Sequence, residues 1–291
     1  MLQKYLTFLE SSPKELEEVI HENPIAYIPF GALEWHGEQN ILGVDSIKAT
    51  EICRRSAEIT GGVLFPCVNY GAFQTMKFPY TLCSPKRPFI KLTRQIIKQV
   101  YDMGFKIIVL LTGHYPNLQI IQVMEAAKKI SRKHKDCFAL GIPEQKLVPD
   151  FGYFGDHGAK WETSIMMAIN SKFVDLEKLP DGLNYPERTI RHGVWGIDPK
   201  TQASKELGVR ILNEMVKRLS DAILKVKKER SIKPFADIYI NYDHERKSLR
   251  KDLNKYFKIH GIGSKREGVE ILKWILFKRK KQNIHYIDKK K

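Results

Sequence analysis

The chain has 291 residues, of which 43% are hydrophobic, which is enough for one large α/β domain or for one domain with an appendage. Its net charge of +16 is unevenly placed. Residues 246–291 contain 16 basic and 4 acidic side chains, whereas residues 1–245 carry a net charge of only +4. The charge of the whole chain therefore does not describe its main body.

Cysteine usage and hydropathy argue against two classes of protein. The four cysteines form no C-x-x-C pair, and the chain is long enough to fold without disulfides. The sequence contains neither a signal-peptide core nor the roughly 18 uncharged apolar residues that a membrane-spanning helix needs. We therefore expect a soluble, cytoplasmic protein without a membrane partner.

Strands and helices alternate along the first half of the chain. Short apolar runs predict strands at residues 25–31, 61–71, 106–113 and 137–141. Periodicity and start signals predict helices from Pro13 onward and at residues 46–60, 87–104 and 117–134. Asp45 or Ser46 is the predicted cap of the second helix. This alternation predicts a three-layer α/β/α fold with a mostly parallel central sheet.

The second half of the chain is predicted to be mainly helical. Helices are expected at residues 157–170 and, as one long element, from about 201 to 230. After Pro234 the composition changes toward lysine and arginine. We therefore place a domain at residues 1–230 and a basic C-terminal helical extension at residues 231–291.

Six ionisable side chains follow predicted strands or lie at junctions between loops and helices. They are Glu34, His36, Asp45, His114, His157 and Glu162. In a parallel sheet the carboxyl ends of the strands meet at one edge, where ligands bind. Imidazoles and carboxylates without convergent thiols suit Zn²⁺, Mn²⁺ or Fe²⁺ and argue against a cysteine zinc site. Such a set can bind two ions, with one carboxylate bridging them.

Four segments in order resemble motifs of the creatininase (creatinine amidohydrolase) family. They are GALEWHGEQNILGVD, TGHYPN, HGAKWETS and GVWGIDPKTQASKELG, and the resemblance covers about residues 27–224. It implies an α/β/α fold, a two-metal centre and metal-dependent hydrolysis of C–N bonds in small, often cyclic, amides. It also implies a homo-oligomer that acts on a small-molecule substrate.

The resemblance implies a role for each metal ligand. Glu34, Asp45 and His114 would hold the first divalent ion. His36 and the bridging Asp45 would hold the second ion, and Glu162 would be its third ligand.

His157 and Glu162 are the candidate catalytic residues. The resemblance gives His157 the role of a general acid or base, or of a group that stabilises the tetrahedral intermediate. The simpler interpretation of Glu162 is an acid in the first turn of a helix, where the macrodipole favours it. His157 could likewise be a helix cap, and His114 could serve only as a hydrogen-bond partner at a strand end.

Several positions depart from the family pattern. Pro116 stands where creatininase itself has a glutamate ligand, and proline cannot coordinate a metal. Gln39 and Thr75 replace histidines, and Tyr80 replaces a glycine of a substrate-side loop. We therefore predict a substrate other than creatinine. Hydrolysis of a lactone or nucleotide fragment, and a metal-poor binding or assembly protein, stay open as alternatives.

The remaining aromatic residues are interpreted as packing residues. Trp35 and Trp161 adjoin candidate ligands, and Trp195 lies in a glycine-rich motif that we interpret as structural. In the extension, aromatic side chains such as Trp274 alternate with lysines. We favour helices packed on the main body with a solvated basic end, and contact with nucleic acid or an anionic surface is the less favoured alternative.

Overall fold

Five parallel strands form the central sheet of the computed structural model, which describes residues 5–72 and 78–278. The strands are β1 (Tyr5–Thr7), β2 (Ile25–Phe30), β3 (Gly62–Leu64), β4 (Ile107–Thr112) and β5 (Phe138–Pro143). Their order across the sheet is β1-β3-β2-β4-β5, so β2 lies between β3 and β4. All residues of β2 and β4 are buried, as expected for strands covered on both faces.

Helices cover both faces of the sheet. The first four are α1 (Pro13–Glu22), α2 (Val44–Thr60), α3 (Lys86–Asp102) and α4 (Asn117–Lys133). The next four are α5 (Lys160–Ile169), α6 (Tyr185–His192), α7 (Pro199–Gln202) and α8 (Lys205–Glu229). The last three are α9 (Lys233–Arg250), α10 (Leu253–His260) and α11 (Lys265–Lys273), which continues as a π-helix at Trp274–Lys278.

Alternate residues of each central strand enter two separate hydrophobic cores. Tyr27 and Val109 pack with α2, α5 and α8 on one face, whereas Ile28 and Leu110 pack with α1, α3 and α4 on the other. Two helical layers therefore enclose one sheet, and the predicted α/β/α fold with a helical C-terminal extension is confirmed. Within the described residues, no helix has the length and apolar character needed to span a bilayer.

The structure differs from the sequence predictions at element ends. The edge strand β1 was not expected, because its three half-buried residues give no apolar run. The predicted capping of α2 by Asp45 or Ser46 is wrong. The helix begins at Val44 after Gly43, without a side-chain cap. The long helix begins at Lys205, because Ser204 accepts a hydrogen bond from the Leu207 amide and caps it there.

Helix α9 packs into the core beneath the sheet, although it follows the predicted domain boundary at residue 230. Phe235 is 2% exposed and belongs to the same cluster as Tyr27 and Val109. Farther along the extension, Trp274 packs against Trp35, beside the candidate metal ligands. The boundary itself stays a prediction. The basic end at residues 279–291 lies outside the described residues.

Replacing Phe235 by alanine tests whether α9 is integral to the fold. We expect Phe235→Ala to lower the free energy of unfolding by about 3–5 kcal/mol, because it removes a fully buried aromatic ring. Ile240→Ala is the matched control, since Ile240 lies on the same helix but is 66% exposed, and it should change stability by no more than about 0.5 kcal/mol. Urea unfolding measures both. Similar losses for the two variants would contradict the integral role of α9.

Candidate metal centre

The candidate ligands meet at the carboxyl ends of the two central strands. Glu34 and His36 follow β2, and His114 follows β4 directly. Asp45 lies in the first turn of α2 and Glu162 in the first turn of α5. All five side chains are at most 4% exposed. The adjacent parallel strands β2 and β4 thus bring together residues about eighty apart in sequence, as predicted.

Two glycines allow the ligand-bearing segments to approach one another. A Cβ on Gly113 would lie 2.1 Å from the carbonyl oxygen of Asp45, and a Cβ on Gly158 would lie 2.4 Å from that of His36. Gly158 also has a φ of +60°, which side-chain-bearing residues rarely adopt. A larger residue at either position would push a ligand-bearing backbone away from the cluster.

Glu34, Asp45 and His114 form the first group of converging ligand atoms. Their candidate ligand atoms lie within 4.8 Å of one another. The Nδ1 atom of His114 lies 2.9 Å from Oδ2 of Asp45 and 3.1 Å from Oε2 of Glu34. The other carboxylate oxygen of Glu34, Oε1, is buried and has no hydrogen-bond partner. A buried carboxylate oxygen without a partner is unfavourable unless a cation approaches it, so this group fits a metal ion.

His36, Asp45 and Glu162 form the second group. The Nε2 atom of His36 lies 3.1 Å from Oδ1 of Asp45 and 3.5 Å from Oε2 of Glu162. The Nδ1 atom of His36 lies 2.9 Å from the carbonyl oxygen of Glu34, to which it donates, and this bond orients Nε2 toward the carboxylates. Asp45 thus contributes one oxygen to each group.

His157 lies beside both groups and forms a third cluster with Glu34 and His36. Its ring stacks on the ring of His36 at a centroid distance of 4.0 Å. Its Nε2 atom lies 2.9 Å from the carbonyl oxygen of Trp35, so Nε2 carries the proton and Nδ1 is the basic nitrogen. Burial, and then the positive charge of His36, lower the pKa of His157, so its imidazole is neutral at pH 7.

The two ligand histidines carry protons that balance the charge of the carboxylates. Burial alone would lower the pKa of His36, but Asp45 and then Glu162 raise it to about 9. Burial is likewise outweighed at His114, where Glu34 and Asp45 raise the pKa well above its ordinary value. The histidines hold the pKa of Asp45 well below its usual range despite its burial. Without metal, imidazolium ions therefore neutralise this cluster.

A buried lysine that was not predicted completes the centre. Lys48 is fully buried, and its ammonium donates to Oε1 of Glu162 at 2.5 Å and lies 2.9 Å from Oε1 of Glu144. Tyr115 adds a hydroxyl contact at 2.9 Å. Burial alone would lower the pKa of this ammonium, but the carboxylates of Glu144, Glu162 and Asp45 raise it. The only sequence signal was the position of Lys48, in the first turn of the predicted helix and three residues after Asp45.

Asp156 is a second unpredicted member, and it positions Glu162. Its carboxylate accepts hydrogen bonds from the backbone amides of Trp161 at 2.8 Å and of Glu162 at 3.3 Å. Burial, and then the charge of Glu162, raise the pKa of Asp156 to about 8. Glu162 is further fixed by the amide of Gly158, which donates to its Oε2 at 2.7 Å. The turn before α5 and the first residues of that helix therefore position this carboxylate through backbone hydrogen bonds.

A cavity of about 460 Å³ opens onto the first ligand group. Its lining includes Glu34, Asp45, His114 and His157 from the cluster, whereas His36 and Glu162 lie behind this surface. Trp195 also lines the cavity, and its backbone pairs with that of His157. The structural interpretation of its motif stays a prediction. A hollow of about 710 Å³ between α3 and α4 has no carboxylate in its lining.

The positions that depart from the family pattern have separate structural roles. Pro116 lines the cavity, so it directly shapes the space for a substrate. Gln39 is buried and donates to the carbonyl oxygen of Gly158 at 2.6 Å, which makes it a support of the loop rather than a cavity residue. Tyr80 is 69% exposed with a φ of +51°. Thr75 lies outside the described residues.

The raised pKa of His36 predicts that metal binding releases protons. A histidine coordinates a metal only when its imidazole is neutral. Below about pH 9, a binding ion must therefore displace a proton from His36. The apparent affinity for Mn²⁺ should rise between about pH 6.5 and about pH 9, and calorimetry in buffers of different ionisation enthalpy should detect the released protons. His36→Gln should release fewer protons. An affinity independent of pH would contradict the proposed ligand role.

Replacing Lys48 tests the buried charge network. Lys48→Met leaves two buried carboxylates without their cation, so we expect a loss of about 3–5 kcal/mol in the free energy of unfolding of the metal-free protein. Adding Glu144→Gln should recover part of this loss. Lys98→Met is the control, because it breaks an exposed pair with Asp102 and should cost at most about 1 kcal/mol. Equal losses for Lys48→Met and Lys98→Met would refute the network.

Comparisons with known proteins agree with this architecture. The profile of the family described as "Creatininase: Creatinine amidohydrolase" matches residues 9–223. A creatinine amidohydrolase from Pseudomonas putida is 29% identical over 234 residues, which cover 68% of this chain and 88% of that protein.

Two solved structures show the same likeness. One described as "Creatininase Mn" is 27% identical with a TM-score of 0.66, and the match covers 78% of this chain and 99% of that one. A mutant creatininase of "Zn-Zn type" is 26% identical with a TM-score of 0.63 and the same coverage. Because the family profile matches well over half of its residues, this chain belongs to the creatininase family.

Proposed function

We propose that this protein hydrolyses a C–N bond of an amide or cyclic amide in a small molecule, with two divalent cations. The observation that carries the proposal is the carboxylate of Asp45, whose two oxygens belong to two ligand groups beside one cavity. A shared carboxylate is the usual way to hold two ions close together. The amidohydrolase named among the relatives and the Mn and Zn-Zn forms of creatininase support the same proposal.

The ligand groups suit the metals that the sequence predicts. The proposed ligands of one ion are Glu34, Asp45 and His114. Those of the other ion are His36, Asp45 and Glu162. Mixed carboxylate and imidazole donors fit Zn²⁺, Mn²⁺ or Fe²⁺. When bound, such ions polarise a carbonyl group and lower the pKa of water.

The side chains of the chain itself bind, orient and protonate the substrate. The amide carbonyl would lie against the first ligand group, which the cavity exposes, with Trp195 and Tyr115 in the surrounding wall. His157 has a neutral ring whose Nδ1 can accept a proton and later deliver it to the leaving nitrogen. The Trp35 carbonyl fixes the orientation of that ring through Nε2. His157 is therefore the proposed general acid and base.

Glu162 is proposed as a ligand rather than as a group that touches the substrate. Its carboxylate lies behind the cavity surface and is already engaged by Lys48 and Gly158. The catalytic role expected from the sequence stays a prediction, and the contacts favour the ligand role.

Substrate specificity departs from that of creatininase in this proposal. Pro116 occupies the cavity wall at the position of a glutamate ligand, so it removes a charge and stiffens the start of α4. Lactone or nucleotide-fragment hydrolysis on the same centre remains the second candidate. A metal-poor binding protein is disfavoured, because that alternative predicts an incomplete ligand set whereas both groups have three members. A homo-oligomer and a cytoplasmic location stay predictions.

Metal content provides a direct test. Protein purified without chelators should contain about two transition-metal ions per chain, as a carboxylate-bridged pair requires. Asp45→Asn should lose both, because Asp45 serves both groups, whereas Glu34→Ala should mainly affect one. Glu58→Ala is the control, because that carboxylate lies at the far end of α2 in an exposed pair. Elemental analysis measures all four proteins, and wild-type protein that neither contains nor takes up metal would rule out the proposal.

His157 can be tested separately from metal binding. His157→Gln should lower kcat by roughly 10²- to 10⁴-fold, since it removes proton transfer, while metal content is unchanged. Turnover should be measured on a panel of linear amides, cyclic amides and lactones. Faster hydrolysis of lactones than of all amides would favour the second candidate function. If turnover is unchanged in His157→Gln, His157 is not the general acid and base.

A further inference from the structure

The cavity is completed by a helix that lies outside the family match. Tyr242 and Arg246 of α9 line the cavity, whereas the family profile ends at residue 223. Lys146, in the short 3₁₀ turn after β5, lines it beside them. The main fold supplies the ligand groups, and the C-terminal extension supplies part of the wall that a substrate meets.

We propose that Lys146 and Arg246 select substrates that carry an anionic group, a carboxylate or a phosphate, in addition to the scissile amide. This inference rests on the proposed hydrolase function and names the substrate class of the same cavity. Neither basic residue belongs to the ligand groups, and the charges that act on Lys146 come from Asp243, Arg246 and Lys128 rather than from the candidate ligands. The anionic group would therefore be bound away from the reacting carbonyl.

Lys146 is held in place by aromatic rings. Its ammonium lies 4.4 Å from the ring centroid of Tyr242 and 5.1 Å from that of Tyr239. Both tyrosines lie on α9, and the ring of Tyr242 is 6% exposed and packs against Phe154 at 5.8 Å. These contacts place a half-buried cation at the cavity wall, where the faces of the rings attract its charge.

Arg246 follows Tyr242 by one helical turn, and its exposed side chain also lines the cavity. Within residues 5–72 and 78–278, neither Arg246 nor Lys146 has a carboxylate within 4.0 Å. Asp243 acts on the ammonium of Lys146 only from beyond 4.0 Å, so the charge of this partly buried group is incompletely compensated. A carboxylate or phosphate of the substrate would compensate it, and the arginine fork would add directional hydrogen bonds.

Apolar side chains form part of the remaining cavity lining. Ile120, Ile121, Met124 and Phe154 contribute to the lining. This surface fits an apolar spacer between the amide and the anionic group. The substrate class is therefore an N-acylated molecule with a remote acidic group.

Binding of matched amides tests the inference. The probes are N-acetyl-ε-aminocaproate, its uncharged carboxamide, and the corresponding N-acetylaminoalkyl phosphate, measured by calorimetry on Mn²⁺-loaded and metal-free protein. The wild-type chain should bind at least one anionic probe several-fold more tightly than the carboxamide. Arg246→Gln should weaken that anionic binding roughly threefold to fivefold, and Arg246→Gln with Lys146→Met roughly tenfold or more. Carboxamide binding should stay unchanged.

Lys247→Gln is the matched control. It removes one positive charge from the neighbouring exposed position of α9, which does not line the cavity, and it should leave all probes unaffected. The tighter-binding anionic probe would show whether the two basic residues favour a phosphate or a carboxylate. Equal binding of charged and uncharged probes, equal effects of Arg246→Gln and Lys247→Gln, or failure of both anionic probes to bind would overturn the inference. Wild-type protein that takes up no metal would instead refute the hydrolase function. In that case, the ratio of the affinities for anionic and uncharged probes, measured on metal-free protein, would still test the selection of anionic groups.

Discussion

Asp45 provides the contact on which the rest of the site depends, because its two carboxylate oxygens lie against two different histidines. Oδ1 is 3.1 Å from Nε2 of His36, and Oδ2 is 2.9 Å from Nδ1 of His114. A carboxylate this deeply buried is costly unless cations surround it. The fold supplies them by starting α2 at the edge where β2 and β4 end, and Gly113 lets β4 pass directly against the backbone of Asp45. The position of one carboxylate thus fixes the geometry of both ligand groups.

Lys48 makes the two ligand groups unequal. Glu34 keeps one buried oxygen without a partner, and its group opens onto the cavity. Glu162 instead shares its charge with the ammonium of Lys48, and its second oxygen accepts from Gly158. A cation entering the second group therefore meets a carboxylate that is already partly neutralised. The carboxylates of the first group therefore attract a cation more strongly, because less of their charge is neutralised. The carboxylate of Glu162 in the second group is held in a more fixed position by its two hydrogen bonds.

The sequence predicts those parts of the molecule that depend on local patterns. Strand β4 was evident from its apolar run, and the placement of Glu34 and His114 followed from the rule that ligands gather at the ends of parallel strands. Contacts between distant segments were not predictable. Lys48 meets Glu144 and Glu162 only after folding, and an isolated lysine in a helix is usually exposed. The position of Trp195 at the cavity was likewise not predictable, because it accompanies a backbone pairing with the distant His157.

The C-terminal extension shows why net charge alone is a poor guide to function. Most of the net positive charge of the chain lies in residues 246–291, a distribution that by itself is typical of contact with an anionic polymer. Yet Phe235 places the start of the extension in the main core, and Tyr242 places the next turns at the cavity. A charge that a packed helix holds at a cavity acts on one small ligand, whereas a charge on a solvated surface acts on any polyanion. We propose that Arg246 is of the first kind, because it lines the cavity one turn after the packed Tyr242, although its side chain is exposed.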